Sequence, residues 1–166
     1  PPNNSQKTKS ELHYLLAYND GVIDNKMVKD YDDIVKAFMP AVEKNGVQVS
    51  SDELQQIITE SSKFIMKLKY KYNRPRPFQI AEHYEIDDFK IHKLDSAKTP
   101  SYPSGHATQG RIIALYLSDK DPSNRKEYMM IGHNTSESRI MARAHYPSDR
   151  KYGDLLGDDL YRAMKK

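Results

Sequence analysis

The chain has 166 residues, enough for one domain around one hydrophobic core. It contains no cysteine, which excludes disulfides and thiolate zinc sites, and no apolar run long enough to span a bilayer. Lys and Arg number 26 against 23 Asp and Glu, a formal charge of +3 that favours anionic partners only if a cleft focuses it.

Residues 1–9 are polar and proline-led and read as a flexible N-terminal tail, leaving 10–166 as the folded domain. Helical periodicity runs through that domain, and strand alternation with hairpin turns is missing. The fold class expected is all-α, a compact single-domain helical bundle. A first short helix is expected over Glu11 to Tyr18, with Leu12, Leu15 and Leu16 on one face. Met27 to Phe38 repeats the pattern through Val28, Tyr31, Ile34, Val35 and Phe38, and Pro40 ends or bends that helix. Ser50 followed by Glu53 has the spacing of a capping box. It opens a long helix that Leu54, Ile57, Ile58, Ile65 and Leu68 carry to about Tyr72. Two prolines in Asn73-Arg74-Pro75-Arg76-Pro77 stop it. The stretch from Phe78 to Tyr102 reads as mixed, with at most short helical turns. Ser104 caps a helix running to about Leu117, and Asp121, Pro122 and Ser123 break the chain again. Asn124 to Ala144 reads as helix, weakest over residues 132–135, and Pro147 and Ser148 open the last helix.

Three clusters at the ends of these helices look chemical. Lys69 sits in the last turn of the long helix and Arg76 follows on a proline-stiffened loop; together they suit a clamp on phosphate oxygens, or a solvated basic helix end. In Tyr102-Pro103-Ser104-Gly105-His106, Ser104 and Gly105 lie where a helix N-terminus leaves N–H groups for an anion, and His106 stands beside it as a proton donor; an ordinary serine cap with a surface histidine is the equal alternative. In the third cluster Ser138 and Arg139 close a helix, His145 lies in the break before Pro147, and Asp149 falls in the first turn of the last helix. That pattern reads either as a nucleophile with its orienting carboxylate or as an acid placed on a helix dipole.

Taken together, the clusters resemble the type-2 phosphatidic-acid phosphatase superfamily, which includes the bacterial class A non-specific acid phosphatases and the vanadium haloperoxidases. Its signature, Lys-x6-Arg-Pro, Pro-Ser-Gly-His and Ser-Arg-x5-His-x3-Asp, is matched by Lys69, Arg76 and Pro77, by Pro103 to His106, and by Ser138, Arg139, His145 and Asp149. The resemblance covers Lys69 to the C-terminus; residues up to about Gly46 match nothing nameable. It implies that His145 attacks phosphorus, Asp149 orients His145, and His106 protonates the leaving alcohol and later assists water. Lys69, Arg76, Ser104, Gly105 and Arg139 are implied to hold the non-bridging oxygens, with Ser138 supporting Arg139. The implied activity is that of a metal-independent acid phosphatase acting on small soluble phosphate monoesters, nucleotides or small diphosphates among them, through a phosphohistidine. No cofactor is implied, and vanadate is expected as an inhibitor that mimics five-coordinate phosphorus.

Three other readings compete: a vanadium-dependent haloperoxidase, a lipid or isoprenoid diphosphate phosphatase, and a non-catalytic phosphate or nucleic-acid binding module. Scattered basic residues argue against nucleic acid. No membrane span is expected. A homodimer is compatible with exposed helical faces, and the resemblance points to a periplasmic or secreted setting although no signal peptide is visible. His13, His83, His92 and His133 read as surface residues, and Asp158 and Asp159 do not face one point.

Overall fold

Side-chain caps set where the helices start. Ser5, Asp24, Asp33, Ser50 and Ser104 each accept the backbone N–H of the residue three positions on, which satisfies an orphan donor of the first turn. The computed structural model describes residues 1–86 and 88–166; Asp87, in the stretch expected to be mixed, lies outside the described residues. Among them run α1 (Gln6–Ala17), α2 (Asn25–Asp30), α3 (Ile34–Lys44), α4 (Ser51–Tyr72), α5 (Pro77–His83), α6 (Gly105–Lys120), α7 (Arg125–Met141) and α8 (Pro147–Met164). Single 3-10 turns occur at Tyr18–Gly21, Asp95–Lys98 and Pro122–Asn124. The all-α expectation is met, and no strand occurs among the described residues.

Three boundaries differ from the sequence reading. Residues 6–9, expected in the tail, form the first turn of α1, because Ser5 caps it and the buried Thr8 hydroxyl donates to the Pro2 carbonyl. The single helix expected over Met27 to Phe38 is two, since Asp33 starts a new helix after a turn at Tyr31 and Asp32. Pro40 lies inside α3 rather than ending it. It is exposed, on the outer side of the helix.

The main core joins Phe38 and Val42 of α3 and Leu54 and Ile57 of α4 to Ile112, Ile113 and Leu117 of α6, with Tyr128 of α7 and Tyr161 of α8. Two smaller clusters dock the N-terminal elements. Leu12 of α1 packs with Ile80, Ala81 and Tyr146, and Val28 of α2 packs with Met141, Ala142 and Ala144. Helix α6 packs most extensively on α7 and α8. Its approach to α8 depends on glycine: a methyl at Gly153 would lie 2.7 Å from the Ser104 carbonyl oxygen, and one at Gly157 would lie 2.7 Å from Arg111 Cβ. This closeness lets the Ser104 N–H donate to the Asp149 carbonyl at 3.1 Å, locking the start of α6 to the start of α8.

Candidate active site

The site forms where α4 ends, α6 begins and α7 hands over to α8. Helix α7 closes with Arg143 in the left-handed region (φ 54°). The Ala144 N–H returns to the Arg139 carbonyl and the Arg143 N–H to that of Ile140, the two bonds of a Schellman motif. The positive φ of a non-glycine residue is held by its guanidinium, which donates to the carbonyls of Leu15, Gly21 and Lys90. This turn delivers His145 inward, 4% exposed.

His145 lies between a carboxylate and a cation. Its Nε2 is 2.9 Å from Arg76 Nη1, so the neutral imidazole presents its lone pair there. Its Nδ1 is 3.6 Å from Asp149 Oδ2, longer than a hydrogen bond, and has no other partner. Burial, and next the Arg76 charge, hold the imidazole well below its ordinary range, and Asp149 only partly opposes them. Burial would push the Asp149 carboxyl up, but His145, Arg74 and Ser101 outweigh it and bring it down to about 2.

The cations converge on the same place. Lys69 Nζ donates to the Pro100 carbonyl at 2.6 Å, and burial, then Arg76, push its ammonium down to about 7. Arg76 also donates to the carbonyls of Thr99 and Ala144, and burial brings it down to about 10. Arg139, 1% exposed, donates Nη2 to the Val28 carbonyl and Nη1 to Asp32 Oδ1 at 2.8 Å, while Ser138 takes its Nε–H. His106 Nε2 is 2.8 Å from the Asp32 carbonyl oxygen, and burial, then Arg139, push its imidazole down to about 4. Ser104 uses its hydroxyl oxygen to cap α6, and Gly105 opens that helix.

The expected residues thus form two linked groups: Lys69, Arg76, His145 and Asp149 on one side, Arg139 and His106 joined through Asp32 on the other. Depressed ammonium and guanidinium groups mark a buried surplus of positive charge, which an anion would relieve. Among the described residues no three His, Asp or Glu side chains converge as a metal ion would require. Sequence reasoning missed Asp32, which sits on the turn between α2 and α3, Arg74 and Ser101, which donate to Asp149, and Glu11, which accepts from Arg74. Only Arg74 carried a local signal, its place in the proline-flanked Asn73–Pro77 loop.

The all-helical fold gathers three cations and two histidines at helix ends. The chain belongs to the PAP2 superfamily, whose model matches residues 54–157. It is 35% identical over 89 residues to a non-specific acid phosphatase of Salmonella typhimurium and 30% identical over 111 residues to one of Providencia stuartii. An acid phosphatase of Zymomonas mobilis is 33% identical over 100 residues. These matches cover 54%, 66% and 60% of the chain but only 35%, 44% and 37% of the relatives, so the chain spans well under half the length of the curated relatives it matches. The crystal structure of a transmembrane PAP2-type phosphatidylglycerolphosphate phosphatase from Bacillus subtilis has the same fold, with a TM-score of 0.61 at 18% identity, covering 96% of this chain and 83% of that one. Among the described residues no helix of this chain is long and apolar enough to cross a membrane.

Proposed function

We propose that the chain is a metal-independent phosphatase that hydrolyses small soluble phosphate monoesters through a phosphohistidine on His145. The observation that carries this reading is His145 itself: buried, with Nε2 2.9 Å from Arg76 Nη1 and Asp149 behind Nδ1, where burial and the Arg76 charge disfavour the protonated ring. Acid phosphatases among its relatives support the reaction class.

In the first step the Nε2 lone pair forms an N–P bond as the P–O bond to the alcohol breaks, and His106 gives its proton to the departing oxygen. In the second, water attacks phosphorus, neutral His106 takes the water proton, and the N–P pair returns to His145 as phosphate leaves. Lys69, Arg76 and Arg139 hold the non-bridging oxygens throughout, and this stabilisation of transferring charge is the main task of the site. A bound dianion raises the affinity of His106 for the proton it must donate.

Hydrolysis of p-nitrophenyl phosphate from pH 4 to 8, with EDTA and with or without vanadate, tests the proposal. EDTA-resistant, vanadate-sensitive release is expected; loss of activity in EDTA contradicts the metal-free mechanism.

Two further results follow. Asp32 holds Arg139 where a phosphate oxygen belongs, so Asp32→Asn should tighten vanadate inhibition. Its side chain is 47% exposed, which limits the gain to about fivefold, the ~1 kcal/mol ceiling of such an ion pair. Weaker inhibition would mean that Asp32 helps to build the anion seat. The second concerns sulfate, whose own charge is constant above pH 5. Lys69 is pushed down to about 7 in the free protein, and a bound anion raises it. The bound state therefore holds more protons, and sulfate affinity is full below pH 7 and falls above it, approaching about tenfold per pH unit. Calorimetric titration at pH 6, 7 and 8 measures this, and a flat profile rules out Lys69 as an anion ligand.

A further inference from the structure

Helix α4 keeps one side out of the fold. Ser61, Ile65 and Lys69, spaced four apart, are buried, while Lys63, Phe64, Lys67, Tyr70 and Lys71 are exposed. Those five fall at i, i+1, i+4, i+7 and i+8, which is one side of a helix. Tyr72, at the end of α4, extends the aromatic surface. Its ring meets that of Tyr102 edge-on at 5.1 Å, and Tyr102 meets Tyr152 of α8 at 5.8 Å. Of the nine large apolar or aromatic side chains exposed among the described residues, four are Phe64, Tyr70, Tyr72 and Tyr152, so this exposure is concentrated rather than scattered.

The charge on this side has one sign. Between Glu60 and Glu82 the chain has no acidic residue. Lys26, Lys36 and Lys44, elsewhere on the surface, lie on carboxylates, whereas among the described residues Lys63, Lys67 and Lys71 lie on none. Lys71 instead reaches over the Tyr72 ring, 5.6 Å from its centre. Arg74 and Arg76 are buried, so the exposed cations of this stretch are lysines, whose flexible stems can lift a charge past a ring. Phe64, 55% exposed, stands on this side between Lys63 and Lys67 and has no polar group to give to water. Rings flanked by lysines suit the boundary of a lipid bilayer: the rings enter among the head groups and the ammonium groups meet the lipid phosphates. Duplex nucleic acid offers phosphates but no apolar layer for Phe64.

We infer that this side of α4, with Tyr72, Tyr102 and Tyr152 beside it, docks the protein peripherally on an anionic lipid bilayer. The helix lies on the bilayer without crossing it, since Leu54, Ile57 and Ile65 on its other side are held in the protein interior. The same end of α4 carries Lys69, so docking brings the candidate site close to the bilayer surface. The inference does not depend on the reaction proposed above.

Co-sedimentation with vesicles of phosphatidylcholine alone, or of phosphatidylcholine and phosphatidylserine in equal parts, tests it. Wild type is expected to bind the anionic vesicles, to leave the neutral ones in solution, and to release as salt is raised. An anionic surface strengthens binding by about fivefold per lysine, so the triple variant Lys63→Gln, Lys67→Gln, Lys71→Gln should lose about a hundredfold. Phe64→Ser should lose about tenfold. The control pair Lys26→Gln, Lys36→Gln should bind within twofold of wild type. Circular dichroism shows that each variant is folded. Saturating vanadate is expected to leave vesicle binding intact; binding that vanadate abolishes would belong to the phosphate site and overturns the inference. It is also overturned if wild type binds neither vesicle, if it binds both equally, or if the triple variant binds like wild type. Tighter binding to a labelled DNA duplex than to the anionic vesicles at the same salt would assign the surface to nucleic acid instead.

Discussion

His145→Ala is expected to lower turnover of phosphate monoesters by about 10⁴-fold or more, the scale on which an enzyme loses its covalent nucleophile. No neighbour can replace it. Arg76 and Arg139 are cations without a lone pair, Lys69 is pushed down to about 7 and stays a cation at acidic pH, and His106 points its Nε2 at the Asp32 carbonyl rather than at Arg76. Anion binding should survive, because those cations are held by their own carbonyl and carboxylate partners and not by His145 alone. The signature is therefore a collapse in kcat with the vanadate or sulfate dissociation constant within about threefold of wild type. Steady-state assay with p-nitrophenyl phosphate, paired with calorimetry on the anion, separates the two. His106→Ala serves as contrast: its loss should be small with p-nitrophenol as leaving group and large with a simple alkyl phosphate, since only the latter needs a proton. Turnover of the His145 variant within tenfold of wild type would falsify the nucleophile assignment.

The motif residues were legible because the chemistry lies at helix ends, where capping residues, prolines and charge leave local marks. Ser50 and Ser104 announce α4 and α6 in their side chains, and Pro147 stands at the first position of α8. The break between α2 and α3 was harder. Val28, Ile34 and Phe38 share one apolar face whether one helix or two carry them, and the deciding mark was Asp33 as a second cap after Asp24. The partners of the site were illegible for a different reason. Glu11 reaches Arg74 across 63 positions and Asp32 reaches Arg139 across 107, contacts that no spacing in the sequence encodes. They follow from the two small apolar clusters that dock α1 and α2. Residues before Gly46 look unrelated to the motif, yet they close one side of the site and pin its rear.

Asp149→Asn is expected to cost both function and stability, and the two losses have separate causes. Asp149 is fully buried and serves three donors, Arg74, Ser101 and the Tyr146 N–H, with two oxygens. Asparagine has one acceptor oxygen. Turned toward Arg74, it sets its NH2 against the Tyr146 N–H, which cannot rotate away; turned the other way, it leaves a buried guanidinium facing an NH2. Either choice exposes an uncompensated donor, and removing one partner of a buried ion pair typically costs about 3–5 kcal/mol. Retained contacts to Glu11 and Ser148 keep the loss at the lower end. The carboxyl is brought down to about 2 in the folded chain, below its ordinary 3.8. Its contribution, roughly 2 kcal/mol, is thus fully present above pH 4 and disappears as pH falls toward 2. Chemical denaturation should accordingly show the gap between wild type and variant widest near pH 6 and narrowing below pH 4. Turnover should fall by about 10³-fold or more even at temperatures where the variant is folded, because His145 loses the carboxylate that faces Nδ1 and balances its charge as the N–P bond forms. A variant that is destabilised but turns over normally when folded would reduce Asp149 to a structural anchor for Arg74 and leave His145 oriented by Arg76 alone.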